Sequence, residues 1–138
     1  MRIIGGVFKG RTINFLKNSK TRPLKSNVRE SIFNILKHSS SIKTNIESSN
    51  ILDLYSGIGS FGIECLSRDA NKVTFIEQDL IAMNILKENL IKFALIKKSK
   101  VYLNKIEDIL AKDFNEKFNI FLLDPPFSDS NFLKNLET

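Results

Sequence analysis

The sequence lacks the features that are typical of disulfide-bonded, membrane-spanning and metal-binding proteins. Its single cysteine, Cys65, excludes an internal disulfide, which favours a reducing compartment and predicts a cytoplasmic protein. It has no run of about 18 apolar residues and no signal-peptide core at the N-terminus, so neither membrane insertion nor secretion is expected. No His/Cys/Asp/Glu cluster with ligand spacing occurs, so we expect no metal site.

Positive charge is concentrated in the first third of the chain. Residues 1–50 hold ten of the 21 Lys and Arg residues but only two of the 15 acidic residues. Because Lys and Arg neutralise phosphates, this predicts a basic, polyanion-binding extension over residues 1–50 on a body over residues 51–138. A lysine-rich surface that only aids solubility explains the composition equally well. The candidate phosphate contacts are Lys9, Arg11, Arg22, Lys25 and Arg29.

The extension is predicted to contain a hairpin, a loop, a helix and a linker. Short strands are expected at residues 3–8 and 11–15, around a basic tip. Residues 16–25 are polar and basic, as is typical of a loop, and helical spacing of apolar residues begins at Asn27. The Ser/Asn-rich stretch over residues 38–50 indicates a linker.

The body alternates between strand and helix patterns. Strands are predicted at residues 51–55, 72–77, 101–104 and 118–124, and helices at 60–68, 79–93 and 107–112. Strands that alternate with helices form parallel βαβ units, so we expect an α/β fold with an open, mostly parallel sheet and helices on both faces. In such a sheet, ligands bind beyond the carboxyl ends of the strands.

A glycine-rich turn follows the first predicted strand of the body. It has the spacing Gly57-x-Gly59-x-x-Gly62, and the acidic Glu77 lies at the end of the next strand. Glycines allow close backbone approach, and the acid accepts hydrogen bonds from ribose hydroxyls; this pattern suits nicotinamide dinucleotides and S-adenosylmethionine alike. The carboxylate of Asp53, just before the turn, would repel a pyrophosphate but suits ammonium and sulfonium charges. S-Adenosylmethionine is therefore favoured, with an NAD-dependent oxidoreductase as an alternative.

A second motif, Asp124-Pro125-Pro126-Phe127, closes the last predicted strand. It combines a carboxylate, a rigid backbone and an aromatic ring, a set that suits methylation of a planar amine. The Asp124 carboxylate and the Pro125 carbonyl would accept the two N–H groups of the amine, and Phe127 would stack on the base. Together the two motifs predict an S-adenosylmethionine-dependent N-methyltransferase.

Both motifs, together with several segments of the basic extension, resemble one known family. Residues 53–64, 75–79 and 124–127, with residues 2–6, 9–11, 22–23 and 28–34, are similar to the bacterial 16S ribosomal RNA guanine-N2 methyltransferase (RsmD) family. The resemblance implies a Rossmann-like class I methyltransferase fold, S-adenosylmethionine as cofactor, and a guanine N2 amine in ribosomal RNA or a small-subunit assembly intermediate as substrate. It implies cofactor contacts by Asp53, Tyr55, Ser56, Gly57, Gly59, Ser60, Phe61, Gly62, Glu77, Gln78, Lys105 and Ile106. A monomer is expected.

The chain departs from the family pattern in two places. The family often has Asp or Asn after the third strand to bind adenine, whereas this chain has Lys105 there, so Ile106 is expected to pack on the adenine ring. The family also continues with further strands after the proline motif, so we expect C-terminal strands to be missing beyond Thr138. Two alternatives stay open: an N-methyltransferase acting on DNA adenine or a protein amide, and a non-catalytic RNA-binding protein with a vestigial cofactor pocket.

Overall fold

A computed structural model describes residues 1–15, 26–38, 45–110 and 116–123 of the chain. The strands in these ranges are β1 (Asn50–Asp53), β2 (Lys72–Glu77), β3 (Ser99–Leu103) and β4 (Ile120–Leu122). The helices are α1 (Ser26–His38), α2 (Ser60–Ser67), α3 (Leu80–Lys92) and α4 (Ile106–Leu110), with a 3-10 turn at Ile96–Lys98.

The four strands form one parallel sheet in the order β3-β2-β1-β4. Asp53, the last residue of β1, is opposite Phe75 in β2 and Leu122 in β4. From β1 the chain adds β2 and then β3 on one side, and β4 on the other side. This reversal makes the carboxyl ends of β1 and β4 a topological switch point, where open sheets bind ligands. The predicted α/β fold with a parallel sheet is confirmed.

Neighbouring residues in a strand point to opposite sides, and the two central strands, β1 and β2, are buried on both sides apart from their first residues. On one face, Ile51 and Phe75 belong to an apolar cluster with side chains from α1, α2 and α3. On the other face, Leu52 and Ile76 pack with Ile106 of α4. The sheet is thus covered by helices on both sides, with its carboxyl edge left open between them.

The leader, which we define as residues 1–15, does not form the predicted hairpin of two regular strands. A single antiparallel bridge joins Arg2 to Thr12, and residues 5–10 between them form bends and turns. The expected strand at residues 3–8 is wrong because, after the Ile3 N–H bonds to the Arg11 carbonyl, the next N–H groups bond to Glu64 and Ser67 of α2.

A buried carboxylate on α2 accepts hydrogen bonds from the leader backbone. Glu64 accepts hydrogen bonds from the backbone N–H groups of Ile4 at 2.8 Å and Gly5 at 2.9 Å. The leader side chains Ile3 and Ile13 are buried in the same cluster as the helices. The boundary at residue 50 stays a prediction, since described residues on both sides of it share one hydrophobic cluster.

Element bounds otherwise lie close to those predicted. β3 begins at Ser99, two residues before the predicted start at residue 101, and α1 begins at Ser26, one residue before the predicted start at Asn27. β4 covers the middle of the predicted last strand, and the expected loop at residues 16–25 lies outside the described residues. Within the described part of the chain, no helix has the length and apolar character needed to cross a membrane.

Candidate cofactor site at the carboxyl edge of the sheet

The glycine turn connects β1 to α2 and follows a path that larger residues would obstruct. Gly59 has a left-handed backbone with φ of 90°, and a Cβ atom on it would lie 2.2 Å from Cδ1 of Leu86 in α3. A Cβ on Gly62 would lie 2.3 Å from the Phe75 ring of β2. Gly59 is therefore needed for the shape of the turn, and Gly62 for the close packing of α2 on the sheet.

Glu77 holds this turn against the end of β2. Its Oε1 accepts a hydrogen bond from the Gly57 N–H at 2.9 Å, and its Oε2 accepts one from the Asp79 N–H at 2.8 Å. Glu77 is buried, and 8% of it stays accessible at the edge. Each carboxylate oxygen has about two acceptor sites, so both can accept a further hydrogen bond from a ligand hydroxyl.

Ser56 extends the pairing of β1 and β2 beyond the end of the strand. Its hydroxyl donates to the Asp53 carbonyl at 2.9 Å and accepts from the Ile76 N–H at 3.0 Å. Its own N–H donates to the Ile76 carbonyl at 3.1 Å. The Ser56 hydroxyl is thus bound by the two strands, and its contribution to the edge is to fix where the turn begins.

An open pocket of about 600 Å³ lies beside Glu77, between the ends of β2 and β3 and the start of α4. It is lined by Gln78, Asp79, Leu103, Asn104, Lys105 and Asp108. Gln78 and Lys105 were predicted cofactor residues, and both are exposed here. Asp79 and Asp108 were not predicted. The sequence could have indicated Asp108, because residues three apart on a helix lie on the same face and Asp108 follows the predicted residue Lys105 by three.

Two other predicted cofactor residues pack in or against the apolar core, Ile106 as a buried residue and Phe61 as a partly buried one. Ile106 is 7% exposed and packs with Leu52 and Ile76 beneath this edge. The Phe61 ring lies 4.9 Å from the Phe33 ring of α1, centroid to centroid. Phe61 therefore joins α2 to α1, and its ring position lends no support to a cofactor contact.

The remaining predicted residues lie along the strand end and the turn. Asp53 is 3% exposed at the end of β1, and Ser60 is 8% exposed as the first residue of α2. Tyr55 is half-buried and packs against the cluster formed by Leu52 and Ile76. These three residues therefore lie in the same short segment as the glycine turn.

The predicted methylation motif, Asp124 to Phe127, lies outside the described residues, which end at Leu123. The strand before it is described, and its Leu122 carbonyl accepts a hydrogen bond from the Leu54 N–H at 3.1 Å. β4 therefore leaves the sheet at the edge where β1 enters the glycine turn.

The five predicted phosphate contacts have three different outcomes. Lys9 and Arg11 are exposed on the leader, and the Arg11 guanidinium lies 4.5 Å from the centroid of the Phe93 ring. Arg22 and Lys25 lie outside the described residues. The prediction for Arg29 is wrong, because this side chain is fully buried.

Arg29 binds protein groups in place of phosphate. Its Nη2 donates to the Arg2 carbonyl at 2.5 Å, and its Nε lies 3.9 Å from Oε1 of Glu64. Desolvation by burial lowers the pKa of Arg29, against the opposing effect of the Glu64 carboxylate. Arg29 thus forms part of the contact between α1, α2 and the leader, and a basic residue count gives no sign of this.

The fold and edge together define a class I methyltransferase, a class that uses S-adenosylmethionine. Across the described ranges no group of three metal-ligating side chains comes together, and the site offers backbone and carboxylate groups for an organic cofactor. A family model described as "Conserved hypothetical protein 95" matches residues 1–138. The chain belongs to this family, the RsmD family, as its relatives also indicate.

Two curated relatives and one solved structure illustrate the match. YlbH of Bacillus subtilis is 36% identical over 94% of this chain and 68% of its own length. Ribosomal RNA small subunit methyltransferase D of Haemophilus influenzae is 37% identical over 92% of this chain and 64% of its own. The structure of yhhF from Escherichia coli is 31% identical, with a TM-score of 0.81 over 99% of this chain and 72% of that one. The chain thus spans about two thirds of the curated relatives' length.

Proposed function

We propose that this protein transfers a methyl group from S-adenosylmethionine to the exocyclic N2 amine of a guanine in 16S ribosomal RNA. The observation that carries the proposal is a convergence at one edge of the sheet. Gly57 is bonded to Glu77 there, and β4 leaves the sheet beside Asp53, just before the Asp-Pro-Pro-Phe sequence. A cofactor turn and an amine-binding sequence thus follow adjacent strand ends.

The described residues fit S-adenosylmethionine. Glu77 retains acceptor sites for the ribose hydroxyls, and the buried Asp53 carboxylate lies beside the turn, as suits a ligand with ammonium and sulfonium charges. The pocket between Gln78 and Asp108 offers room for the adenine ring next to Glu77. When bound, S-adenosylmethionine supplies an electrophilic methyl group, so the protein has mainly to hold the acceptor nitrogen in line.

Asp124 and Pro125 are proposed to hold that nitrogen. The lone pair of a guanine N2 amine is delocalised into the ring, which makes the amine a poor nucleophile. Two acceptors, the Asp124 carboxylate and the Pro125 carbonyl, would favour a more tetrahedral nitrogen and stabilise the positive charge that develops on it. Pro125 and Pro126 restrict the backbone, and Phe127 offers a stacking surface for the base.

Residues 1–50 are proposed to contact RNA phosphates through Lys9 and Arg11 of the leader, and through Arg22 and Lys25 beyond it. Arg11 is supported by its surroundings, since the rings of Phe8 and Phe93 lie 5.3 Å and 4.5 Å from its guanidinium carbon and hold it at the surface. Access to a guanine amine requires an unpaired or flipped base, because pairing hides the base edge. The proposed substrate is therefore an open region of the RNA or of a small-subunit assembly intermediate.

Tritium-labelled methyl donor tests the proposal directly. The purified protein is incubated with S-adenosyl-[methyl-³H]methionine and, in parallel, with unmodified small-subunit RNA, small subunits lacking the modification, DNA and protein. We expect label in the RNA or the subunits, and N2-methylguanine after nuclease digestion. Label in DNA or protein alone would refute the proposed substrate.

A matched pair of variants tests the proposed role of the proline motif. Asp124→Ala is expected to abolish methyl transfer while cofactor binding, measured by calorimetry, changes little. The control is Glu47→Ala, which removes an exposed acid from the segment before β1 and should leave both quantities unchanged. If Asp124→Ala removed cofactor binding as well, the residue would belong to the cofactor site.

A further inference from the structure

One buried amide side chain joins the leader to the glycine turn. Asn89 of α3 is 0% exposed, and its Oδ1 accepts a hydrogen bond from the Asn14 N–H at 2.9 Å. Its Nδ2 donates both hydrogens, to the Asn14 carbonyl at 3.0 Å and to the Ile58 carbonyl at 3.1 Å. Ile58 is the residue between the first two glycines of the turn. Asn89 thus fixes the turn from its buried side.

An apolar residue at this position would leave the buried Ile58 carbonyl and two part-buried backbone groups of Asn14 without these hydrogen bonds. A buried backbone group without a partner is costly, so the position favours an amide that can donate twice and accept once. The contact with Ile58 is made by the side chain of Asn89, whereas Asn14 contacts Asn89 through its backbone alone. The Asn14 side chain lies on the exposed side, where its Oδ1 accepts from Lys92 Nζ at 3.5 Å. The position of the turn therefore depends on the Asn89 side chain in particular.

The same helix carries a second link to the leader one turn further on. The Lys92 ammonium donates to the Thr12 carbonyl at 2.5 Å, and the Arg11 guanidinium lies 3.5 Å from the Lys92 carbonyl. A continuous set of contacts therefore runs from the exposed Arg11, along α3, to Asn89 and the turn. Such a set makes coupling between the two ends physically possible, and its strength must be measured.

We propose that Asn89 is a positioning residue that holds the glycine turn in its cofactor-binding shape and ties that shape to the docked leader. The inference rests on the proposed function, since it assigns a structural support to the same cofactor site. Because linkage is reciprocal, a leader held in place by bound RNA strengthens cofactor binding, and bound cofactor strengthens RNA binding.

Asn89→Asp tests the positioning role with little change of shape. The variant keeps an acceptor for the Asn14 N–H but turns a carboxylate oxygen toward the carbonyls of Asn14 and Ile58. We expect the Kd for S-adenosylhomocysteine, measured by calorimetry, to rise at least about tenfold, because a buried hydrogen bond becomes a repulsive contact. Asn89→Ser, which keeps one hydroxyl donor, should fall between Asn89→Asp and wild type.

Two controls separate positioning from a general loss of stability. Asn14→Ala retains both backbone contacts to Asn89 and should leave the Kd within about twofold of wild type. Leu90→Ala removes a buried side chain of the same helix that belongs to the apolar cluster and does not bond the turn. It should lower the thermal midpoint at least as much as Asn89→Asp, with little change in the Kd measured well below that midpoint.

Hydrogen exchange gives a readout that does not depend on the cofactor. In Asn89→Asp, or in Asn89→Ser if the first variant does not fold, amides at residues 56–60 should exchange faster than in Leu90→Ala. Equal exchange and equal Kd in the Asn89 and Leu90 variants would overturn the inference. If wild type itself did not bind S-adenosylhomocysteine, the proposed function would fail, and the exchange comparison would still decide the role of Asn89.

Adding unmodified small-subunit RNA tests the link to the leader. In wild type the RNA should lower the Kd for S-adenosylhomocysteine by about threefold or more, and in Asn89→Asp this gain should disappear. If RNA bound wild type without changing the Kd for S-adenosylhomocysteine, the link between the leader and the cofactor site would be refuted. The positioning role of Asn89 would then be decided by the Kd values of the variants and by hydrogen exchange.

Discussion

Gly59→Ala should destabilise the protein for two separable reasons. The φ of 90° at Gly59 lies outside the range that alanine adopts readily, and a left-handed conformation costs about 1–2 kcal/mol for a residue with a Cβ atom. The added methyl would also lie 2.2 Å from Cδ1 of Leu86, and such overpacking costs about 1–3 kcal/mol after the neighbours shift. We therefore expect the free energy of unfolding to fall by about 2–5 kcal/mol in total.

Gly10→Ala is a matched control for the backbone contribution. Gly10 has a φ of 85°, close to that of Gly59, but a Cβ on it would meet no atom within 4 Å. Its substitution should therefore cost only the backbone part, about 1–2 kcal/mol. Urea denaturation of wild type and the two variants measures both values, and their difference isolates the contact with Leu86. Equal losses in the two variants would refute the argument that packing against α3 demands a glycine at position 59.

Three further predictions concern individual charged and polar groups, three of them buried and one exposed. Glu77→Gln should raise the Kd for S-adenosylhomocysteine about tenfold to a hundredfold, because charge-assisted hydrogen bonds are lost; a Kd within twofold of wild type by calorimetry would exclude Glu77 from the site. Burial raises the pKa of the Cys65 thiol, so at pH 8 Cys65 should stay protonated and react with iodoacetamide only after urea unfolding, as mass spectrometry can check. Arg11→Ala should flatten the salt dependence of RNA binding, whereas Arg29→Met, which replaces a buried cation by an apolar chain, should leave that slope unchanged in filter binding.

Local signals in the sequence were enough to predict the sheet and the cofactor turn. The alternation of strands and helices from residue 51 onward depends on periodicity over short windows, so the predicted strand at residues 72–77 has the bounds of β2. Gly57 and Glu77 could be assigned to one edge from sequence because a glycine turn and an acid at the next strand end are linked by fixed spacing, and the hydrogen bond between them confirms that they meet. Parallel pairing then brings these strand ends to one edge.

Contacts between distant segments could not be predicted in the same way. Asn89 looks like an ordinary polar residue of a helix, and its role depends on two partners that lie 75 and 31 residues away in sequence. Arg29 was grouped with surface cations because charge counts carry no information on burial. The contact of Ile106 with adenine stays a prediction, and nothing in the sequence indicated that its side chain also packs against Leu52 and Ile76, because α4 covers the second face of the sheet.

Arg29 and Glu64 also change how the basic leader should be understood. The Glu64 carboxylate is fully buried and is bonded by two leader N–H groups and by Arg68 Nε at 2.9 Å, with Arg29 as a further cation nearby. This buried carboxylate is fully satisfied while the leader is docked, and undocking would leave it with the two arginines but without two of its hydrogen bonds. Part of the positive charge in residues 1–50 therefore holds the leader on the body, and only the exposed part is free to bind phosphate. Removal of the leader should accordingly destabilise the whole fold, in addition to weakening RNA binding.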